Sequence, residues 1–263
     1  MKSLPYSVAT LLIARGVAAL LFGCVRAGGV PHVTISRRAL MVAIWFALAC
    51  MSYFGAIKLW CVSGAIAVLT TAPVWILVRD ALSTSVERPR VISDLLLVGG
   101  IICFVWPSGS SPPIAPLGLV MAVISAIATG EFYLAARRIP DIRSPERLCW
   151  LGGSVAFAGI ALLPLSSSGS YVASVLPWLE KMPPWSVLPI FGAFAGGTYF
   201  FATERLIAAE PRYAGSLAMS KTVVVVLMSR WLLNEPSSMR QLIGLVAGTV
   251  GSIFIVRLAH KRL

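Results

Sequence analysis

The chain has 263 residues, of which 58% are hydrophobic and only 12% are charged, and its formal net charge is +12. A soluble domain carries about 25% charged residues, and the core of a domain this long cannot hold so many apolar side chains. Composition therefore excludes a soluble globular protein and indicates an integral membrane protein.

Apolar stretches long enough to span a membrane follow one another along the chain. A helix crosses the hydrocarbon core with about 20 apolar residues. We predict an all-α polytopic membrane protein with about nine transmembrane helices. The stretches are Ser7–Val25, Ala39–Ala56, Leu59–Val78, Ile92–Trp106, Ile114–Ala136, Leu148–Leu165, Trp185–Thr203, Tyr213–Leu233 and Gln241–Val256.

The basic residues lie mostly in alternate gaps between these stretches, beginning with the gap after the first. Basic loops stay on the cytoplasmic side of a membrane. The pattern predicts a multi-pass protein of the cell inner (plasma) membrane with a cytoplasmic C-terminus and an N-terminus outside. The non-cytoplasmic side of the membrane carries Lys2, Lys58, Lys181 and Arg240.

A nucleic-acid surface would gather basic residues on one face with aromatic partners for the bases, so nucleic acid is not an expected partner.

Few residues indicate catalysis or metal binding. The 5 cysteines lie in or beside apolar stretches without the spacing of metal ligands, which is typical of reduced packing residues. His32 and His260 lie apart in hydrophilic segments, and the sequence contains no nucleophile elbow or phosphate-binding loop. We therefore predict that the chain is not an enzyme and uses no metal or cofactor.

The order of elements repeats across the uncharged loop 107–113. Before this loop, residues 53–58 lead into a helix that contains residues 71–74. After it, residues 199–204 lead into a helix that contains residues 221–223. This order indicates an internal repeat whose two copies are separated by the outer loop.

These segments resemble the drug/metabolite transporter superfamily, specifically its EamA-like repeat. The likeness is carried by Tyr199–Ala202, Leu232–Glu235, Gln241–Gly244 and Gly251 in the second half, and by Arg15, Tyr53–Lys58 and Ala72–Val74 in the first.

The resemblance implies two inverted repeats joined by an outer linker at residues 107–113. The first repeat, residues 1–106, would be incomplete with about four helices, and the second, residues 114–263, would have about five; inverted repeats place a binding site near the membrane midplane. Family members typically have both ends in the cytoplasm and one more helix at the start. The resemblance thus implies that the usual first helix is missing, either through a truncated gene model or because the chain is a true shortened member.

Ionisable residues inside a span cost about 2.5–3.5 kcal/mol each and therefore require a role. Lys221 lies about 12 Å along its helix from Tyr213, and Glu131 about 9 Å from Arg137, at 1.5 Å per residue. This similar depth permits an ion pair. One hypothesis is that Lys221 binds an anionic group of the substrate, with Glu131 as its partner or as a proton acceptor. The alternative is a static pair that joins two helices.

Other candidates for the substrate site are Arg15, Thr222, Tyr199 and Trp75. Arg15 either contacts the cavity or caps neighbouring carbonyl groups. Thr222 stands where the resemblance places a proline, which implies an altered substrate class. Tyr199 and Trp75 are candidate wall residues, with a core or lipid-facing position as the alternative for each.

Pro73 interrupts the hydrogen bonding of the third predicted span. The hydroxyl groups of Thr70 and Thr71 can satisfy the carbonyls that a proline leaves unbonded, which gives a bend or hinge. Packing alone explains this proline nearly as well.

The function that these features favour is secondary transport. We predict a permease or exporter that moves a small polar or amphipathic metabolite by alternating access, with coupling to protons or to exchange because no nucleotide-binding signature is present. The small-residue series Gly244, Gly248 and Gly251 allows close helix contact, within the chain or in a homodimer. The alternative is a non-transporting membrane subunit or scaffold that a partner chain completes.

Overall fold

The described part of the chain is helical throughout. The computed structural model describes residues 7–31, 36–69, 71–81, 115–137 and 144–165, with Gly99, Gly100, Ile102, Cys103, Met239, Ile243, Gly244, Val246–Gly248 and Val250. Within these ranges the structure contains helices and no strand, which confirms the all-α class. The seventh and eighth predicted spans lie outside the described residues, so the number of spans stays a prediction.

Six α-helices have defined bounds, and the last of them continues into a short 3₁₀ turn. They are α1 (Val8–Ala27), α2 (Arg37–Leu59), α3 (Val62–Leu69), α4 (Ala72–Ala81), α5 (Pro116–Arg137) and α6 (Ser144–Leu162), followed by the 3₁₀ turn Leu163–Leu165. Among the described helices, α1, α2 and residues Pro116–Ala136 of α5 are long and apolar enough to cross a membrane.

Local signals in the sequence fix both ends of α1. The Ser7 hydroxyl accepts a hydrogen bond from the Thr10 amide at 3.1 Å and caps the first turn. At the other end, Gly28 adopts a left-handed conformation with φ 71°, which a glycine takes without steric cost. Ser36 caps α2 in the same way, accepting from the Ala39 amide at 3.1 Å.

Helices α1 and α6 touch backbone to backbone through glycines. A Cβ atom on Gly16 would collide with the backbone of Ala156 and Gly152. A Cβ on Gly159 would lie 2.8 Å from the Ala9 carbonyl oxygen. Such close approach is how helices associate inside a bilayer, where packing replaces the hydrophobic effect as the driving force.

A third small-residue contact joins the fourth and ninth predicted spans. A Cβ on Gly100 would lie 2.6 Å from both the Gly244 oxygen and the Gly248 nitrogen. These two glycines of the predicted series therefore serve helix contact within the chain. Gly251 lies outside the described residues, and the homodimer stays a prediction.

The third predicted span is broken into α3 and α4. At the break, the Thr71 hydroxyl donates to the Val68 carbonyl oxygen at 2.7 Å, and the Thr71 amide reaches the same oxygen at 2.9 Å. Pro73 is the second residue of α4, a first-turn position where its missing N–H is tolerated. The break lies where the sequence predicts a bend, and Thr70 lies outside the described residues.

Contacts along the chain define two compact units. One contains Met1–Phe54 and Glu131–Arg205, and the other contains Gly55–Gly130 and Leu206–Leu263. The predicted repeats at residues 1–106 and 114–263 are a property of the sequence pattern and stay a prediction. The first unit holds α1, α6, most of α2 and the end of α5, and its buried side chains include Leu12, Phe132 and Val155.

Candidate functional site

Arg15 lies near the middle of the 20-residue helix α1 and is half-buried. Its guanidinium carbon stands 5.9 Å from the ring centroid of Phe46 and 5.8 Å from that of Phe54. Phe46, Cys50 and Phe54 recur every fourth residue, so they share one face of α2. Both rings are within the range of a cation–π interaction, which contributes about 0.5–2 kcal/mol.

More aromatic side chains from α2 and α5 extend this contact within the same unit. The Phe132 ring lies 5.1 Å from the Phe46 ring and 5.2 Å from the Tyr133 ring. The Tyr53 ring lies 5.6 Å from the Phe54 ring. We name this group the Arg15 cluster: Arg15, Phe46, Tyr53, Phe54, Phe132 and Tyr133.

The phenyl rings of the cluster are more deeply buried than its tyrosines and its arginine. Phe46 and Phe54 are each 5% exposed and Phe132 is 2% exposed. Tyr53, Tyr133 and Arg15 are half-buried.

Glu131 is half-buried on α5 and directly precedes Phe132 of the cluster. The structure thus places Glu131 in the same compact unit as Arg15. The sequence pattern predicts an ion pair between Glu131 and Lys221. Lys221, Thr222 and Tyr199 lie outside the described residues, so that pair and the roles of these side chains stay predictions.

Trp75 belongs to the other compact unit, where it packs against α5. A Cβ on Gly130 would lie 2.8 Å from Trp75 Cδ1 and 3.1 Å from the Ala72 oxygen. Trp75 is half-buried, so one side of its indole rests on the glycine. The backbone of Pro73 lies two residues earlier in α4.

Sequence reasoning identified Arg15 and missed the rings around it. Phe46, Phe54, Phe132, Tyr53 and Tyr133 were not among the predicted site residues. The spacing of Phe46 and Phe54 was a usable signal, because two rings on one helix face provide partners for a buried cation. Which helix would face Arg15 depends on tertiary packing that no local pattern encodes.

The described residues contain no group of three or more His, Cys, Asp or Glu side chains placed to hold a metal ion. Two thiols lie close together, with Cys24 Sγ 3.9 Å from Cys149 Sγ. The Cys149 thiol donates to the Leu20 carbonyl oxygen at 3.6 Å. The contact thus joins α1 to α6 near the basic end of α1.

Apolar helices of membrane-spanning length, one of which carries the half-buried Arg15, indicate a multi-pass membrane protein. Residues 116–257 match the EamA-like transporter family. This match covers more than half of the chain, and the chain belongs to that family. The family comprises membrane transporters of small molecules rather than enzymes. The family resemblance and the prediction of a membrane transporter are therefore both confirmed.

Comparison with solved structures supports the same fold. Matches extend to 26 chains, and one of them, titled "Crystal structure of protein", has a TM-score of 0.68 and 18% sequence identity. That alignment covers 95% of this chain and 88% of the other. At this identity the likeness concerns the fold alone. No curated protein matches the sequence.

Proposed function

We propose that this protein is a secondary transporter that moves a small polar or amphipathic metabolite across the cytoplasmic membrane by alternating access. Membership of a transporter family supports the class. The sequence carries no nucleotide-binding signature, so the driving force is a proton gradient or the exchange of one solute for another.

The observation that carries this proposal is the Arg15 cluster. An arginine at the centre of a span costs about 2.5–3.5 kcal/mol on insertion scales. Its contacts with Phe46 and Phe54 each offset about 0.5–2 kcal/mol of this cost. A charge kept inside a membrane helix at such a cost marks a substrate or ion pathway.

The proposed mechanism assigns the remaining predicted residues to the same task. About nine helices in two inverted repeats would enclose a site near mid-membrane. Arg15, Lys221, Glu131, Thr222, Tyr199 and Trp75 are the candidates for it that the sequence predicts. The helix break before Pro73 supplies a place where α3 and α4 can change their angle, because a backbone interruption lets the two segments move separately.

Solute counterflow in proteoliposomes tests this function. The purified full chain is reconstituted, the vesicles are loaded with one unlabelled metabolite at a time, and uptake of the labelled form is followed. Transport predicts saturable uptake above that of empty vesicles, and a protonophore separates proton coupling from exchange. If no metabolite in a broad panel is taken up, the chain instead fits a subunit or scaffold that needs a partner.

A further inference from the structure

We propose that an anionic phospholipid binds the exposed face at the start of α2. Its phosphate contacts Arg37 and Arg38. Its acyl chains lie against three apolar side chains of the next two turns, Leu40, Met41 and Ile44. We name these five residues the α2 lipid face. The proposal concerns the lipid-facing surface of the protein and does not depend on the proposed transport function.

The first turns of α2 have one exposed face and one buried face. Arg37, Met41 and Ile44 are separated by four and three positions and therefore share a face. Met41 is 46% exposed and Ile44 is 50% exposed, and Arg37 is also exposed. On the opposite face, Val42 and Phe46 are each 5% exposed. The exposed face thus begins with a positive charge and continues with apolar side chains over about 10 Å.

The positive charge at this end of α2 is not balanced by a neighbouring acid. Arg37 and Arg38 are both exposed, and the described residues supply no ion-pair partner for either guanidinium. The first turn of α2 contains no acidic residue, and the first acidic residue of the sequence is Asp80. Two positive charges in the first turn are unfavourable because the helix dipole is also positive there. A bound anion reverses this unfavourable interaction.

The position of these arginines along the helix fits a lipid headgroup. Helix α2 is long and apolar enough to cross a membrane, so its first turn lies where the headgroups meet the hydrocarbon. A guanidinium binds phosphate through two parallel hydrogen bonds. Anionic lipids attract basic residues beside a membrane helix by about 1 kcal/mol for each residue. Charge and depth therefore both favour an anionic phospholipid.

Other occupants match only part of the α2 lipid face. A second copy of the chain would bring its own Arg37 and Arg38 to the same depth in the membrane, where like charges repel. The net charge of +12 adds to that repulsion. A soluble anion such as free phosphate would leave the apolar side chains uncovered. A phospholipid covers both the charged and the apolar part.

Lipid binding to the purified full chain tests the proposal. The chain in an uncharged detergent is titrated with phosphatidylglycerol or with phosphatidylcholine of the same acyl chains, and native mass spectrometry resolves each bound lipid. We expect the first phosphatidylglycerol to bind about 5-fold or more tightly than the first phosphatidylcholine, because only the former carries a net negative charge. Glycerol phosphate, which lacks acyl chains, should not displace the lipid at concentrations at which the lipid saturates.

Substitutions at the two ends of α2 locate the site. Arg37→Gln should weaken phosphatidylglycerol binding about 5-fold, and the double variant Arg37→Gln/Arg38→Gln about 25-fold, since each arginine contributes about 1 kcal/mol. Lys58→Gln removes the same unit charge from an exposed position in the last turn of α2 and should leave the first site unchanged. The unfolding temperature without added lipid should be the same for all these proteins, because exposed substitutions change stability little.

Four results would overturn the proposal. Equal affinity of the unmodified chain for the two lipids would show that the headgroup charge is not recognised. A preference for phosphatidylglycerol that survives in the double variant would place the lipid elsewhere. Equal losses in Arg37→Gln and Lys58→Gln would mean that binding follows net charge alone. Displacement of the lipid by glycerol phosphate at lipid-saturating concentrations would identify a soluble anion as the occupant.

Discussion

Arg15 is a half-buried charged residue that the described helices surround with aromatic rings. Its charge lies half-buried among membrane helices, 5.9 Å and 5.8 Å from two buried phenyl rings. The sequence alone marks this arginine, because a charge inside an apolar stretch stands out. The spacing of Phe46 and Phe54 marks two rings on one face of α2, but the sequence does not indicate that this face packs against Arg15.

The cation–π contact should be measurable as a coupling free energy. We expect a double-mutant cycle between Arg15→Met and Phe46→Leu to give a coupling of about 0.5–2 kcal/mol in the free energy of unfolding. Leucine keeps an apolar side chain but removes the ring quadrupole that attracts the guanidinium. Reversible unfolding in mixed micelles supplies the measurement.

A phenylalanine without such a contact provides the control. Phe22 is also an aromatic residue of a membrane-spanning helix, but it is 41% exposed. The cycle between Arg15→Met and Phe22→Leu should give a coupling near zero. A coupling as small for Phe46 as for Phe22 would refute the arrangement of the cluster.

Some helix ends were predicted closely from the sequence. Helix α1 begins at Val8 and α5 ends at Arg137, each within a residue of the predicted limit, because apolar runs are bounded by caps and charges. Helix α6 begins earlier than predicted, at Ser144. The prediction began at the first apolar residue, whereas a helix also includes the polar first turn.

The contact between α1 and α6 was not predicted. Gly16 and Gly152 lie in apolar stretches far apart in the chain, and neither stretch indicates which helix packs against its glycine. Gly23 illustrates the same point, since an added Cβ there would lie 2.5 Å from Cys149 Sγ. Small residues indicate that a helix packs closely, and only the tertiary structure identifies its partner.

Adjacent glycines of α6 allow a matched test of that contact. A Cβ on Gly152 would lie 2.6 Å from the Leu20 nitrogen, whereas a Cβ on Gly153 would meet only Leu20 Cδ1 at 3.9 Å. We expect Gly152→Ala to lower the free energy of unfolding by about 1–3 kcal/mol, as overpacking does. Gly153→Ala should be neutral or slightly stabilising, since alanine favours a helix by about 1 kcal/mol. Equal effects of the two substitutions would contradict the packing.

The thiols of Cys24 and Cys149 report on the same two helices. With sulfurs 3.9 Å apart, we expect mild oxidation by diamide to join them, each thiol losing one hydrogen to the oxidant. A protease site inserted into the loop 107–113 would then leave two fragments linked on a non-reducing gel. Cys24→Ala should release the fragments under the same conditions. Complete separation of the oxidised, otherwise unmodified chain would show that α1 and α6 do not pack this way.

At the scale of the whole molecule, the placement of charge makes a prediction about topology. Basic residues in alternate gaps predict a cytoplasmic C-terminus and an N-terminus outside. We expect a membrane-impermeant thiol reagent on intact cells to label a cysteine introduced near the N-terminus, and to label one near the C-terminus only after permeabilisation. Labelling of both termini from the same side would overturn the assigned topology. A control run in a variant without the native cysteines removes background labelling.

The family places the chain among membrane transporters, and we propose the Arg15 cluster as part of the site that binds the solute. Composition was sufficient to predict the membrane class, because so apolar a chain has no soluble alternative. The substrate could not be predicted from the sequence, since it depends on which side chains the tertiary structure brings together.

The most direct measurement of the central claim is solute exchange by proteoliposomes that contain the unmodified chain, Arg15→Met or Arg26→Met at equal protein content. Losing a charge-assisted contact of about 1.5–3 kcal/mol should slow exchange by about 10-fold or more in Arg15→Met. Arg26→Met should exchange solute at the rate of the unmodified chain. Equal exchange by all three proteins would contradict the claim that Arg15 binds the transported solute.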